Sequence, residues 1–420
     1  MQFNFIKYLL ENKGRSYLQD FEHQLSSYFY AKNSKKEIAG TIIKQELVNY
    51  IKYSIGIINK ISTNERGLQK TIISDSYFTV NDKLRQMGYS VSKSPWTYDN
   101  ANVKFFNNHF FNQYNNINKA VNDGLVKVLS QDFYDLYSLF QEDVVSYIKK
   151  IDSPALILPA DLTFSERTLI KGFKKIEKPS FIFLHGMPAS YKPYRFNTTD
   201  YLLVWGEKLK KDYINAGFNE NKIIVVGHPY YESIPHNFNL RFDLKNILII
   251  SKSSLGAQKN DGRIRLQDNA NCLLYLYELQ DLLLSLDVSS VRLRLHPSED
   301  EVWYKDNIDT KFFIIDKKDL KSSMEEASLV IGPKSTVFIE ALYYGVNYVL
   351  YEPSIDGLDM NNLELTSPFY SDDSKIPYAT NIMDLKYILE NVIKVDSSVL
   401  GEYIKTPFDL TEVAKIIDQY

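Results

Sequence analysis

The sequence predicts an α/β protein of two Rossmann-like domains in tandem, preceded by a helical N-terminal extension. Three observations predict it. Short apolar runs recur along the chain, each closed by a glycine or a polar turn. Stretches of helical period separate them. An irregular stretch at 230–244 divides two such series. Apolar strands covered on both faces are what a parallel sheet with crossover helices requires. At 420 residues the chain exceeds one ordinary core and suits two.

Residues 1–66 read as the helical extension. Phe21, Leu25 and Tyr28, then Ile43, Leu47, Tyr50 and Ile51, recur at three- and four-residue spacing, with Lys and Glu between them. A packed helix pair is the plain use of this stretch; an acceptor-side cap or a membrane-facing element is the functional one. Residues 67–235 read as the first Rossmann-like domain. Lys70-Thr-Ile-Ile-Ser is a short buried strand, Asn81–Met87 a helix closed by Gly88, and Tyr89-Ser-Val-Ser the next strand. A helical region rich in Phe, Tyr and Asn covers 100–150. Strands follow at Ala155–Pro159, Phe181–Leu184, Tyr201–Trp205 and Lys222–Val226, with a helix at Glu207–Ala216 stopped by Gly217.

Residues 236–420 read as the second Rossmann-like domain. Its strands are Asn246–Ser251, Val291–Leu295, Phe312–Asp316, Leu329–Gly332 and Asn347–Tyr351. Helices fit at Asp268–Leu286, Leu320–Ala327 and Thr336–Tyr344, the last stopped by Gly345. The final helix, near Leu410–Gln419, is a candidate for packing back onto the first domain. Tandem open sheets place a cleft between the carboxyl ends of both strand sets, where α/β proteins bind ligands.

Composition narrows the function classes. A net charge of −3 gives no bulk basic character, so no nucleic-acid partner is expected. The single cysteine, Cys272, sits in an apolar run; it reads as a small buried hydrophobe and excludes a disulfide framework. No run approaches the roughly 20 apolar residues of a membrane span, and the N-terminus lacks a signal-peptide pattern. The expectation is a cytoplasmic protein with an amphipathic surface able to rest peripherally on the inner membrane. There is no Asp-x-Asp at a strand end, and Asp356-Gly-Leu-Asp359 has the wrong spacing, so no metal and no cofactor are expected. Gly-x-Gly-x-x-Gly and Walker patterns are missing too, which disfavours dinucleotide oxidoreductases and ATPases.

Residues just past strands are the chemical candidates. His296 ends a strand and Pro297 fixes the backbone there, so the imidazole can donate to a phosphate or ribose oxygen. Gly332-Pro333-Lys334-Ser335-Thr336 joins a strand to a helix. Its free N–H groups, two hydroxyls and one ammonium suit an anion. Glu340 lies on the same helix face as Thr336 and can accept from a ribose hydroxyl. Lys252 and Ser253 follow the first strand of the second domain as donor-phosphate candidates. Asp161 and His185 follow neighbouring strands of the first domain; either can take the acceptor's proton. The competing reading makes Asp161 a helix N-cap, and His228 reads as a linker turn.

Taken in order, these segments resemble a known pattern. A strand ending in His296-Pro297, a Gly332-x-x-Ser335-Thr336-x-x-x-Glu340-Ala341 segment and then Tyr351-Glu352-Pro353 are similar to the nucleotide domain of GT-B fold transferases. The similarity is to bacterial sialyl- and Kdo-type transferases and CDP-glycerol glycerophosphotransferases of surface polysaccharide. His185-Gly186 and Gly227-His228-Pro229 agree with the same superfamily. The resemblance spans roughly 150–355 and implies that His296, Pro297, Ser335 and Thr336 contact the donor's nucleotide and phosphate. It implies an inverting, metal-independent glycosyltransferase. Its partners would be a nucleotide-sugar donor, with CMP-activated acidic sugars favoured, and an oligosaccharide or lipid-linked glycan acceptor. A CDP-glycerol-type transferase, a UDP-N-acetylglucosamine 2-epimerase-like enzyme and a non-catalytic scaffold are the alternatives. The acidic-acidic-Gly motif of many bacterial sialyltransferases has no copy; Asn122-Asp123-Gly124 is nearest, in a predicted helix.

Overall fold

The computed structural model describes residues 16–21, 24, 70–76, 79–97, 107–184, 186, 199–232, 239–251, 263–296, 299–333, 335–355, 358–359 and 375–420. Apart from 16–21 and 24, the extension at 1–66 lies outside the described residues, as does part of the stretch at 230–244.

The first series runs β1 (Thr71–Ser74), α1 (Val80–Gln86), β2 (Ser90–Ser92), α2 (Asn108–Asp123), α3 (Leu125–Val128), α4 (Gln131–Lys150), β3 (Leu156–Leu158), α5 (Phe164–Lys175), β4 (Ser180–Phe183), β5 (Tyr201–Val204), α6 (Glu207–Asn215) and β6 (Ile223–Val225). The second runs β7 (Ile247–Ile250), α7 (Arg263–Ser285), β8 (Val291–Arg294), α8 (Glu301–Asn307), β9 (Phe313–Ile315), α9 (Leu320–Glu326), β10 (Leu329–Gly332), α10 (Val337–Tyr343) and β11 (Tyr348–Tyr351). A small antiparallel ribbon, β12 (Ser354–Ile355) with β13 (Leu358–Asp359), leads to β14 (Tyr378–Ala379), α11 (Ile382–Glu390), α12 (Val399–Tyr403) and α13 (Thr411–Ile417).

Each series forms a six-stranded parallel sheet, in the orders β2-β1-β3-β4-β5-β6 and β14-β11-β10-β7-β8-β9. The chain is thus an α/β protein of two Rossmann-like sheets. Both orders reverse direction once. The first reverses between β1 and β3, the second between β7 and β10. At such a reversal the loops leave neighbouring strands toward opposite faces, and a crevice opens outside the strand ends.

Sequence pattern accounts for these elements. The strands β1, β4, β7, β10 and β11 are buried along their whole length, as helix-covered parallel strands must be. In α4, Phe133, Tyr137, Phe140, Val144 and Ile148 recur every three or four residues and are all buried. Ser130 caps its start by accepting from the Phe133 N–H, and Lys149 and Lys150 sit in its last turn. Each fully buried aromatic on such a face contributes roughly 1.5–3 kcal/mol of burial. Cys272 is buried on α7 as a small hydrophobe.

The C-terminal segment returns from the second sheet to the first. Lys405 N–H donates to the Trp205 carbonyl at 2.7 Å, and Asp409 N–H to the Val226 carbonyl at 2.8 Å. Beyond it, Tyr89 donates its hydroxyl to Asp418 and α13 buries Val413 and Ile417. Two glycines make this crossing sterically feasible. A Cβ on Gly206 would collide with the Tyr403 backbone, and one on Gly227 (φ +84°) with the Lys405 carbonyl.

Candidate functional site

The first sheet's reversal brings two carboxylates to one edge. Asp75 follows β1, and its N–H donates to the Ile157 carbonyl at 3.1 Å, next to β3. Its Oδ1 accepts from the Ser94 N–H at 3.0 Å, and burial pushes the carboxyl above the usual range. Asp161 lies in the loop that leaves β3 and is buried. It does not cap α5. Thr163 does, because Glu166 three residues on completes a capping box: the Thr163 hydroxyl accepts from the Glu166 N–H at 3.4 Å, and Glu166 Oε2 accepts from the Thr163 N–H at 2.7 Å. Glu166 also accepts from the Leu162 N–H at 2.9 Å, and its burial raises its carboxyl pKa. The Asp161 carbonyl accepts from Arg167 Nε at 2.8 Å. Asp75 is absent from the sequence reading. The signal was available, since an acid directly follows the apolar run Thr71–Ser74, but its strand is short and Asp75-Ser76 resembles an ordinary turn.

At the end of β4, the Leu184 carbonyl accepts from the Trp205 indole at 2.8 Å, and Gly186 follows two residues on. His185 lies outside the described residues. His228 is buried, with its ring 4.5 Å from that of Trp205. Its Nδ1 accepts from the Tyr230 N–H at 3.2 Å, capping the short turn Pro229–Tyr231. Burial drives its pKa down to about 3, so the ring is neutral near pH 7. This is the structural turn the sequence suggests.

In the second sheet the strand-end loops are locked by one carboxylate. Glu299 Oε2 accepts from the His296 N–H at 2.6 Å and from the Ser251 hydroxyl, while Oε1 accepts from the Tyr304 hydroxyl at 2.8 Å. The Glu299 N–H returns to the His296 carbonyl at 2.9 Å. His296 is exposed. Glu299 thus sets where His296 stands, a role with no signal in the local sequence. Pro297, Lys252 and Ser253 lie outside the described residues.

Gly332 ends β10 for a packing reason. A Cβ there would run into the Tyr348 hydroxyl and stand 2.9 Å from Ile250 Cβ. That hydroxyl donates to the Pro333 carbonyl at 2.5 Å and so fixes the loop that follows. Lys334 lies outside the described residues. Ser335 Oγ accepts from the Val337 N–H at 3.3 Å, and Thr336 is the N-cap residue without a side-chain cap bond. Glu340 is half-buried on α10. Burial pushes its carboxyl up to about 7, against a lowering pull from Arg294. Its charge also acts on Tyr230 and Tyr231 of the first series, and the Tyr230 and Tyr344 hydroxyls are 2.7 Å apart. The two halves therefore meet here. An ideal Cβ on Gly186 would stand 3.6 Å from Thr336 Cγ2.

Among the described residues no cluster of His, Cys, Asp or Glu could hold a metal ion, and no helix is long and apolar enough to cross a membrane.

No family profile matches the chain, and no curated relative matches it. Solved structures do. The UDP-GlcNAc 2-epimerase of Methanocaldococcus jannaschii, in complex with UDP-GlcNAc and UDP, is 13% identical over 83% of this chain and 99% of its own, with a TM-score of 0.48. The UDP-GlcNAc 2-epimerase of Neisseria meningitidis bound to UDP-GlcNAc is 9% identical over 83% and 98%, with a TM-score of 0.44. Acinetobacter baumannii MurG is 13% identical over 84% and 100%, with a TM-score of 0.43. The fold described above rests on this chain's own strand order.

Proposed function

We propose that this chain is a GT-B-type glycosyltransferase that takes a sugar from a nucleotide-activated donor and passes it to a surface glycan or lipid-linked acceptor. One observation carries the reading. At the strand ends that flank the second sheet's reversal, Ser251 after β7 accepts from the His296 N–H, and Thr336 after β10 stands opposite Gly186 of the first sheet. A ligand in that crevice meets hydroxyls and an imidazole on one side. On the other side are the strand-end loops of Asp75 and Asp161.

In this reading the second sheet holds the donor. His296, Pro297, Lys252, Ser253, Gly332, Lys334, Ser335 and Thr336 are assigned to the phosphate end, and Glu340 accepts from a ribose hydroxyl. At only seven residues α10 offers little summed dipole, and its first-turn N–H groups are taken, Val337 by the Ser335 hydroxyl oxygen, Phe338 by the Ser335 carbonyl and Ile339 by the Thr336 carbonyl, so the loop before it contributes through the Ser335 and Thr336 hydroxyls. These donors stabilise the leaving nucleotide without a metal. Asp161 or His185 takes the acceptor proton, and Asp75 stands at the same edge. The motif resemblance favours a CMP-activated acidic sugar, with a cytoplasmic enzyme working at the inner membrane face.

The test is a thermal-shift panel of CMP, CDP, UDP and GDP on wild type and His296→Ala. A shift selective for CMP that the substitution abolishes supports the reading in full. A UDP-selective shift, with a UDP-sugar altered in the absence of any acceptor, points instead to epimerase chemistry. Indifference to all four nucleotides sinks a nucleotide-sugar role.

A further inference from the structure

Among the described residues of the extension, the segment Ser16–Phe21 packs against the body of the protein. Leu18 and Phe21 are fully buried. The Phe21 ring stacks on Phe164 at 5.1 Å and meets Tyr137 and Phe133 edge-on at 4.8 and 5.2 Å. Asp20 is buried as well; it accepts from the Tyr137 hydroxyl at 2.8 Å and pairs with Lys171 at 2.6 Å. The segment is thereby wedged between α4 and α5, against the first turn of α5.

The consequence lies at Arg167, a buried residue of that same helix. Its Nε donates to the Asp161 carbonyl at 2.8 Å, and its Nη1 donates to the Gln19 carbonyl. One planar guanidinium therefore joins the extension to the loop leaving β3. Its N–H groups are fixed relative to each other, so the position of Gln19 constrains the position of Asp161. Glu166 holds the same loop by accepting from the Leu162 and Thr163 amides. A loop held by both side chains has little conformational freedom left to lose when substrate arrives.

We propose that Ser16–Phe21 is a brace for the first-domain site, acting through Arg167 as a positioning residue for Asp161. This rests on the reading of Asp161 as a site residue. The bland alternative is that Arg167 only satisfies two buried carbonyls. It predicts that disturbing the extension leaves the Asp161 loop unchanged.

Hydrogen exchange on the full-length chain separates the two. In Arg167→Met and in Phe21→Ala, amides of the peptide spanning 160–166 exchange about tenfold faster or more, while peptides of the second sheet keep their protection. Arg167→Lys, which retains a cationic donor, falls between. Should Phe21→Ala fail to fold, Phe21→Leu loosens the stack with an apolar side chain still in place and carries the same comparison. Turnover of a nucleotide-sugar donor gives the functional arm. Arg167→Met lowers kcat about tenfold or more, while donor KM and the nucleotide-induced thermal shift change less than about twofold. Unchanged exchange at 160–166 in both Phe21 variants overturns the brace. So does a loss of kcat that tracks Tm with no change in loop exchange. A wild-type chain that binds no nucleotide defeats the transferase reading alone, because the exchange comparison still decides the brace.

Discussion

Gly186 and Thr336 face each other across the cleft. A Cβ built on Gly186 stands 3.6 Å from Thr336 Cγ2, an ordinary van der Waals contact. Alanine therefore fits, whereas a longer side chain must enter the space in front of the α10 N-terminus. Gly186→Ala is expected to bind nucleotide within about twofold of wild type, and Gly186→Leu about tenfold or more weaker, with Tm little changed. Calorimetric titration with the nucleotide that gives the largest thermal shift checks both. Equal affinities would place the ligand elsewhere.

Glu340 gives the site a pH dependence. Its folded value of about 7 lies above the ordinary glutamate value of 4.5. Ionisation is thus costlier in the folded protein, and the stability contributed by the protonated form falls as pH rises from 4.5 to about 7. The slope is at most about 1.4 kcal/mol per pH unit for one proton. Nucleotide affinity runs the other way, since a carboxylate accepts from a ribose hydroxyl better than a carboxylic acid does. Affinity is expected to rise between pH 6 and 8 in wild type and to stay flat in Glu340→Gln. A flat wild-type profile would remove Glu340 from the site.

Asp75 separates structural from functional roles in one substitution. Asn at 75 keeps an oxygen for the Ser94 N–H, so the loop contact survives. It removes a carboxyl whose ionised form is disfavoured by burial. Asp75→Asn is expected to raise Tm near pH 7 and to lower donor turnover about tenfold or more, a residue kept for function at the expense of stability. Unchanged turnover in the stabilised variant would make Asp75 purely structural.

The strands were legible because each is a short apolar run with a polar or Gly residue directly after it, as at Ile247–Ile250 and Leu329–Gly332. Order across a sheet is not written in order along the chain. That β1 pairs with β3, and β7 with β10, follows only from the pairing itself, and it is this pairing that puts Asp75 near the Asp161 loop. Gly206 and Gly227 read as turn residues in sequence, and Gly332 as a strand end at the donor site. Their actual constraint is the close approach of Tyr403, Lys405 and Tyr348, each remote in the chain. Glu299 was invisible for a similar reason: three donors converge on it from Ser251, His296 and Tyr304, and only the fold brings them together.

The returning C-terminal segment can be tested at Gly227. Alanine there meets both a left-handed backbone and the Lys405 carbonyl, which cannot move without breaking the crossing. Gly227→Ala is expected to destabilise by about 2–4 kcal/mol. Gly88 is the control. Its φ of +95° is equally unsuited to a side chain, but nothing lies within 4 Å of an added Cβ. Gly88→Ala should cost only about 1–2 kcal/mol. Urea midpoints of the two variants measure the difference, and equal losses would show that the crossing contributes nothing.

His228 predicts the acid limb of the stability curve. Its folded value of about 3 lies below the ordinary histidine value of 6.5 because the buried ring resists charging. A base depressed in the folded state contributes stability that is fully present above pH 6.5 and is lost as pH falls from 6.5 toward 3. The unfolded chain takes up one proton there, giving a slope of about 1.4 kcal/mol per pH unit. Asn at 228 can still accept from the Tyr230 N–H but has no proton to gain. Denaturation of His228→Asn between pH 4 and 6.5 should therefore show a slope shallower by one proton, at some loss of packing against Trp205. An identical slope in the two proteins would mean that the ring is already solvated enough to charge. The neutral, buried imidazole then could not be the fixed point about which the chain leaves its first sheet.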